Sequence, residues 1–396
     1  MVDADELDVD NPKRALSGVS RRSRRTLRRS VPERYRTVYG RTTSAIGNVL
    51  GIIVLIVAVY VLLRAAFYLV APYVGVGIKT SQYTVMSRIL QFVVLALAWD
   101  LIGGQTGYAS FGNITFFGIG VYTVVVLMKG TLVGTYGFPV AFVAAGIVAL
   151  VYALILGYPL LRLRGHYFAV ATLGVLVATQ QYVANLKQTG GGSGQTLPLP
   201  GFAQVDRTFF LLFVGLAVVT VIVYWYLMNT RFGYGLNAIR DDEAKARAMG
   251  IDTTKYKIVA WGVSALLTGF AGALFAYQNS YVSPGTAFNI DWTVLMILMA
   301  LVGGMGRLWG PVLGAAFLWE LRNTLWSGGP MVDAVGTITG VSMRNAYLVV
   351  FGIILVAIVI GAPNGILGYL EGKDVFGVTR RRVDKLRNRG TAGGEE

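Results

Sequence analysis

The sequence contains no cysteine, only one histidine and few charged residues, which make up 14% of its 396 residues. Without cysteine there is no disulfide, zinc–thiolate site, iron–sulfur cluster or thiol nucleophile. The single histidine, His166, is too little for a histidine metal site or a catalytic triad. The nucleotide-binding pattern Gly-x-x-x-x-Gly-Lys-Ser/Thr does not occur either. We therefore expect no metal, no cofactor and no catalytic residue, and we predict that the protein is not an enzyme.

Apolar residues are abundant, at 55% of the chain with a mean hydropathy of +0.59. They occur in runs of about 20 residues, the length of a helix that crosses a bilayer. The 50 glycines are typical of helices packed backbone to backbone. We predict an all-α polytopic membrane protein of about ten transmembrane helices, with short broken helices and a cytoplasmic coupling helix. The predicted spans are roughly 48–72, 83–102, 111–128, 138–161, 167–186, 208–228, 258–278, 291–304, 309–325 and 346–368.

The remaining sequence divides into two polar ends. Residues 1–45 are polar and basic, and we expect a disordered cytoplasmic extension that contacts anionic lipid head groups. The first apolar run comes too late and is too long for a cleavable signal sequence. The transmembrane permease domain is expected over residues 46–370 and a basic cytoplasmic tail over 371–396.

The positive charges decide the predicted orientation. The net charge of +15 does not indicate nucleic-acid binding, because the basic residues lie mostly in the two tails and a few short connections. The connections after the fourth and sixth spans are basic, whereas the odd-numbered connections carry few lysines or arginines. With an even number of spans, every strongly basic segment faces the cytoplasm. We thus predict a multi-pass plasma-membrane protein with both termini in the cytoplasm.

A charged island, residues 231–257, separates two strongly apolar runs. Within it, Asp241 or Asp242 can cap a short helix, and Gly250 can end it in the left-handed conformation. The acidic Glu243 lies near the start of this helix and basic residues lie near its end, as the helix dipole favours. The island therefore predicts one complete short helix.

Two helical turns are too few to persist alone in water, so we expect a soluble partner protein to hold this helix. That expectation indicates a membrane subunit driven by another protein. The residues predicted to couple it to an ATPase are Arg240, Asp241, Asp242, Glu243, Ala244, Arg247, Ala248, Met249 and Gly250.

The segment 103–113 interrupts the apolar pattern with glycine and polar residues between two spans. Irregular backbone cannot face lipid, so it is either buried in protein or lines a wet cavity. A broken helix is a usual way to meet a polar solute, while an ordinary tight turn is the compatible alternative. The predicted translocation-pathway residues are Gln105, Thr106, Gly107, Ser110, Phe111, Gly112 and Asn113.

Three further features bear on transport. The glycine-rich segment 188–195 predicts a flexible outer loop that meets a delivering protein or lines the entrance. Small residues spaced four apart over 264–276 predict a close helix crossing. The segment 303–311 predicts a second break.

Ionisable residues within spans are few, which argues against an ion-driven carrier; they are Arg64, Arg88, Asp100 and Glu320.

An ordered string of motifs resembles the permeases of branched-chain amino-acid ABC importers. It comprises residues 103–112, 118–122, 162–169, 189–191, 235–243, 249–251, 257–272 and 303–306. The resemblance extends over residues 85–370. Val121 and Gln195 depart from the usual residues at two positions.

The resemblance implies one of two membrane subunits of an importer for leucine, isoleucine and valine, forming half of the translocation pathway. The implied partners are a homologous permease, two ABC ATPase subunits and an external solute-binding protein. Residues 241–250 would then be the coupling helix, seated in a groove of the ATPase. Importers of urea and short amides use similar permeases, so the solute stays open. An ion-coupled carrier is the alternative from another class.

Overall fold

The computed structural model describes residues 60–61, 63–69, 79–129, 137–197, 205–327, 352 and 356. Within these residues, six helices are long and apolar enough to cross a membrane. A helical polytopic membrane protein is thus confirmed, whereas the predicted count of ten spans is not.

Between residues 79 and 327, the described chain contains twelve α-helices and two short strands. The helices are α1 (Thr80–Asp100), α2 (Gly103–Thr106), α3 (Ile114–Lys129), α4 (Gly137–Leu160), α5 (His166–Asn185), α6 (Val205–Met228), α7 (Arg231–Asp241), α8 (Glu243–Ala248), α9 (Thr253–Asn279), α10 (Pro284–Ala287), α11 (Ile290–Gly303) and α12 (Trp309–Ser327). The strands are β1 (Gln195–Thr196) and β2 (Tyr281–Val282), and they pair antiparallel.

The eight predicted spans between residues 83 and 325 each correspond to one helix, namely α1, α3, α4, α5, α6, α9, α11 and α12. Of the predicted span 48–72, only residues 60–61 and 63–69 are described, and they are helical. The predicted span 346–368 lies outside the described residues except for Gly352 and Val356. The two polar ends, 1–45 and 371–396, also lie outside them.

The connections between helices gather at two ends of the bundle. At one end, which we call the island end, Tyr108, Arg164 and Glu243 lie together, although they follow α2, α4 and α7 respectively. At the other, the ribbon end, β1 pairs with β2, and Lys129 donates a hydrogen bond to Gln195. Consecutive long helices therefore alternate in direction, as the predicted topology requires.

Helix α9 lies in the interior of the bundle and packs most extensively against α3 and α4. Its small residues make this possible, because a Cβ at Gly272 would overlap the backbone of Phe117 in α3. A Cβ at the neighbouring Gly269 would overlap the side chain of Ala149 in α4. The predicted close crossing of this small-residue ridge is confirmed.

The glycine-rich loop, predicted to be a flexible outer loop, contains short regular elements, and its flexibility stays a prediction. It forms two 3-10 turns, Lys187–Thr189 and Gly191–Ser193, and then the strand β1. Gly190 and Gly194 have positive φ angles of 83° and 78°, which explains the need for glycine at these two positions. At the end of the loop, Gln195 and Thr196 pair with β2, a contact that the loop's own sequence does not reveal.

Candidate functional site

The charged island forms two helices rather than one. Arg240 and Asp241 end α7, and α8 begins only at Glu243, so the prediction of a single helix that includes Arg240 and Asp241 is wrong, and of the two predicted caps Asp242 is the one used. Asp242 explains the division, because its extended backbone (φ −163°, ψ 104°) cannot continue α7. In this conformation its side chain accepts hydrogen bonds from the backbone N–H groups of Ala244 and Lys245, at 3.0 and 3.1 Å.

Helix α8 ends where the sequence predicts. Met249 closes the last turn, and Gly250 adopts a φ of 87°, in the left-handed region that favours glycine. Asp242 as cap and Gly250 as stop are therefore both confirmed.

Glu243 is the centre of a polar cluster at the island end, which we call the Glu243 cluster. Its carboxylate accepts hydrogen bonds from Lys257 Nζ at 2.9 Å, Thr253 Oγ1 at 3.1 Å and Arg247 Nη2 at 3.2 Å, and also from the Tyr108 hydroxyl. Four side chains from the α2–α3 connection, α8 and α9 thus converge on one carboxylate.

Lys257 is the buried cation of the Glu243 cluster, with 2% of the residue exposed. Besides Glu243, its ammonium group donates to the Tyr108 hydroxyl at 3.0 Å and to the carbonyl of Leu161 at 3.1 Å. All three N–H donors therefore have partners, as a buried ammonium group requires. The Leu161 contact adds the α4–α5 connection to the cluster.

The charge state of the Glu243 cluster follows from its contacts. Burial of the Glu243 carboxyl favours the neutral acid, but hydrogen bonds from Tyr108 and Lys257 outweigh it and lower the pKa to about 2. Burial and the neighbouring Glu243 carboxylate raise the pKa of the Tyr108 hydroxyl above its usual range. At neutral pH, Glu243 is therefore ionised and Tyr108 carries the proton that it donates.

Helix α8 has one face held by the chain and one face exposed. Ala246 is only 1% exposed and Glu243 points into the cluster, whereas Ala244, Ala248 and Met249 are exposed. A soluble partner is therefore not needed to hold this helix, because ion pairs within the chain and the packing of Ala246 anchor it. The exposed face remains available for a partner.

The predicted pathway segment is packed into the protein interior. Gln105, Thr106, Ser110, Gly112 and Asn113 are buried, Phe111 is half-buried, and Gly107 is exposed. Their polar groups mostly bond within the chain. Asn113, for example, donates to Thr268 at 3.4 Å and accepts from Ser264 at 3.1 Å, both on the α9 ridge.

The structure brings the two predicted sites together through two residues that are not among the predicted site residues. Tyr108 lies within the segment 103–113 but is not a predicted pathway residue, and Lys257 is predicted only to border the island. One signal could have identified Lys257: it is the cation nearest the apolar part of this span, and a lysine buried there needs an acidic partner. The position of Glu243 near the preceding helix makes it a candidate for that partner.

A second polar cluster joins the two helix breaks. The carboxylate of Asp100 accepts hydrogen bonds from the Tyr224 hydroxyl at 2.5 Å and from the backbone N–H of Gly306 at 3.0 Å. Gln105 donates to the same Tyr224 hydroxyl at 2.6 Å. A cavity of about 150 Å³ lies beside these residues. The predicted break at 303–311 is confirmed over residues 304–308, and its Gly306 contacts Asp100, the last residue of α1 before the first break.

Comparison with known proteins decides the family. A family model described as "Branched-chain amino acid transport system / permease component" matches residues 81–359. The chain belongs to this permease family. The Glu243 cluster, both breaks and the α9 ridge all lie within the matched residues.

Individual relatives agree with the permease family. The high-affinity branched-chain amino acid transport system permease protein LivM of Salmonella typhimurium is 28% identical to this chain over 277 residues. The aligned residues cover 63% of this chain and 64% of LivM. The chain thus spans less than two thirds of the length of that relative.

Two further relatives extend the comparison. The probable branched-chain amino acid transport permease protein LivH of Methanocaldococcus jannaschii is 29% identical over 291 residues, covering 70% of this chain and 88% of LivH. The autoinducer 2 import system permease protein LsrC of Salmonella typhi is 28% identical over 272 residues, covering 66% and 77%. No solved structure matches the chain.

Proposed function

We propose that this protein is a membrane subunit of an ATP-driven ABC importer and forms half of the translocation pathway for leucine, isoleucine and valine. Membership of the permease family supports the general role. The observation that carries the proposal is the short helix α8, which the Glu243 cluster holds on one side and which exposes Ala244, Ala248 and Met249 on the other.

The exposed face of α8 has the character of a protein-docking surface. It combines apolar and charged side chains at one end of the bundle, where connections rich in lysine and arginine gather. We assign it to contact with an ABC ATPase, with two ATPase subunits, a homologous permease and an extracytoplasmic solute-binding protein completing the importer. The coupling residues stay as predicted, except that Arg240 and Asp241 contribute from the end of α7.

The Glu243 cluster supplies the route by which movement of α8 reaches the membrane helices. ATP binding draws the two ATPase subunits together and displaces α8 in alternating access. Glu243 then pulls on Lys257 of α9 and on Tyr108, which belongs to the break between α2 and α3. In this proposal the segment 105–113 serves transport by moving with Tyr108, and it borders the pathway when the two permease subunits separate.

The orientation proposed from the sequence assigns the island end to the cytoplasm and the ribbon end to the outside. Both termini are then cytoplasmic, with basic tails over 1–45 and 371–396 in contact with anionic lipids. Reporter fusions at residue 192 and at residue 396 test this proposal. A cytoplasmic signal from residue 192 contradicts it.

The decisive experiment reconstitutes the complete importer. Affinity purification of the chain from its host is expected to bring ATPase subunits with it, and vesicles with the complex and loaded binding protein are expected to accumulate labelled leucine only with ATP. Vesicles that hold the chain alone and accumulate leucine under a proton or sodium gradient would refute the proposal. Competition by isoleucine, valine, urea, acetamide and autoinducer 2 then identifies the solute, since the relative LsrC is named for autoinducer 2 import.

A further inference from the structure

Arg88 is a charged residue within the span α1, and a charge in that position is costly unless it has a function or a counter-charge. The other in-span arginine, Arg64, forms an ion pair with Glu320 at 3.3 Å. Among the residues that the structure describes, no aspartate or glutamate forms an ion pair with Arg88. Among the described residues, Arg64 therefore has a counter-charge and Arg88 has none, so placing the charge of Arg88 within a span costs more free energy.

Within the described part of the chain, the contacts of Arg88 are with neutral groups. Its Nη1 donates to Gln91 Oε1 at 2.9 Å, and its Nη2 donates to Asn279 Oδ1 at 2.6 Å. The guanidinium carbon lies 4.6 Å from the centre of the Phe275 ring. Amide oxygens and an aromatic face orient a guanidinium group, but they do not cancel its charge.

An unpaired amide donor lies next to this arginine. Gln91, whose Oε1 accepts from Arg88, is fully buried, and its Nε2 has no hydrogen-bond partner in the described part of the chain. Buried polar groups without partners are uncommon in folded proteins, so this free donor beside a cation that lacks a counter-charge among the described residues calls for an explanation.

An anion with two oxygen atoms explains both observations. A carboxylate can accept two hydrogen bonds from one guanidinium group, and such charge-assisted bonds are stronger than neutral ones. Arg88 itself is half-buried, and the amide of Gln91 that accepts from it carries a free Nε2 donor. The same oxygen atoms that neutralise Arg88 can thus accept from Gln91.

The position of Arg88 indicates where such an anion comes from. Asn279 is the last residue of α9, at the ribbon end, and the 27 residues of α9 separate this end from the Glu243 cluster by about 40 Å. In the proposed orientation, Arg88 therefore faces the side from which the solute arrives. Leucine, isoleucine and valine share an α-carboxylate, which is the anionic group that the importer must accept.

We propose that Arg88, with Gln91 and Asn279, binds the carboxylate of the amino acid as it passes from the outside into the pathway. This inference rests on the proposed function as an amino-acid importer. A phospholipid phosphate offers similar chemistry, so the test separates the two sources.

Saturation-transfer NMR on the full chain in phosphatidylcholine nanodiscs tests the site directly, with leucine and leucinamide as probes. Leucine is expected to receive saturation from the wild-type protein, whereas leucinamide, which lacks the carboxylate, receives little. Arg88→Gln is expected to reduce the leucine signal about tenfold or more, the effect of losing a charge-assisted hydrogen bond. Arg88→Lys keeps the charge and should retain part of the signal.

Three results would overturn the inference. These are equal signals from leucine and leucinamide, an unchanged leucine signal in Arg88→Gln, or a phospholipid that co-purifies with the wild type alone while leucine gives no signal. Transport by the reconstituted importer separates this failure from that of the proposed function. If the wild type imports leucine and Arg88→Gln imports it equally well, only the role of Arg88 fails; if the wild type imports no amino acid, the proposed function fails first.

Discussion

Tyr108 donates its hydroxyl proton to Glu243, and the same oxygen accepts a hydrogen bond from Lys257 at 3.0 Å. These residues belong to the break between α2 and α3, to α8 and to α9. One hydroxyl group therefore connects the predicted pathway segment, the predicted coupling helix and the central helix of the bundle. Moving α8 alone would break charge-assisted hydrogen bonds, so the three elements are expected to move together.

Tyr108→Phe tests this connection, because it removes the hydroxyl and keeps the ring that packs edge-on against Phe168. We expect the free energy of unfolding to fall by about 1–3 kcal/mol, the usual cost of leaving a buried polar partner unsatisfied. In the importer, ATP hydrolysis is expected to continue with less leucine moved per ATP. Thermal unfolding in detergent and the uptake-to-hydrolysis ratio are the measurements.

The matched control is Tyr234→Phe, since Tyr234 is 72% exposed on α7. It should leave stability and coupling unchanged. A double-mutant cycle with Glu243→Gln adds a sharper criterion, because residues in one hydrogen-bond network are expected to show non-additive effects. Strict additivity of the two substitutions would contradict the link between Tyr108 and Glu243.

The low pKa of Glu243 predicts a specific pH dependence. The carboxyl titrates near 4.5 when unperturbed and at about 2 in the folded protein, so ionisation favours the fold. This stabilisation is fully present above pH 4.5 and is lost as the pH falls towards about 2. We expect the melting temperature of the wild type to exceed that of Glu243→Gln at neutral pH, with the gap shrinking below about pH 5. A gap that stays constant down to about pH 3 would refute the assignment.

The exposed face of α8 is predicted to make the ATPase contact. Ala248→Arg adds a large charged side chain on this face and is expected to abolish most co-purification of ATPase subunits without lowering the melting temperature of the chain. Ala248→Ser, which changes little volume, is the control. Ala246→Arg should act differently, because Ala246 is buried and its replacement destabilises the chain itself. Undiminished ATPase binding by Ala248→Arg would remove α8 from the interface.

Local sequence signals were enough for much of the fold. Each of the eight apolar runs between residues 83 and 325 became a helix, because bilayer length and hydropathy decide such segments without tertiary information. The roles of Asp242 as cap and Gly250 as stop could also be predicted, since a cap and a left-handed stop depend on the residue and its immediate neighbours. The division between α7 and α8 was missed because capping by Asp242 also terminates the preceding helix.

The contacts within the Glu243 cluster could not be predicted from the sequence. Glu243 and Tyr108 are separated by 135 positions, and no local pattern indicates that they meet. The sequence assigned Glu243 to a solvated helix facing a partner protein, whereas it faces inward to a buried lysine. The prediction that 105–113 lines the pathway stays a prediction, because in this structure most of its side chains fill the interior of one subunit.

Gly306 connects the second helix break to the end of α1, just before the first break. Its backbone N–H donates to Asp100, its φ angle is 77°, and a Cβ would overlap the guanidinium group of Arg240. Gly306→Ala should therefore combine backbone strain with displacement of Arg240 from the end of α7. Gly250→Ala is the matched control: its φ of 87° imposes similar strain, but a Cβ there would meet open space.

The control is expected to lose about 1–2 kcal/mol of unfolding free energy, the cost of the left-handed conformation alone. Gly306→Ala is expected to lose more, and to weaken ATPase co-purification because α7 leads directly into α8. Thermal unfolding compares the two variants, and the amount of ATPase retained on the purified chain is compared between Gly306→Ala and the wild type, because Gly250 itself is a predicted coupling residue. Equal losses in the two variants would mean that the contact between Arg240 and the second break contributes nothing, and that α7 is positioned by α9 and α6 instead.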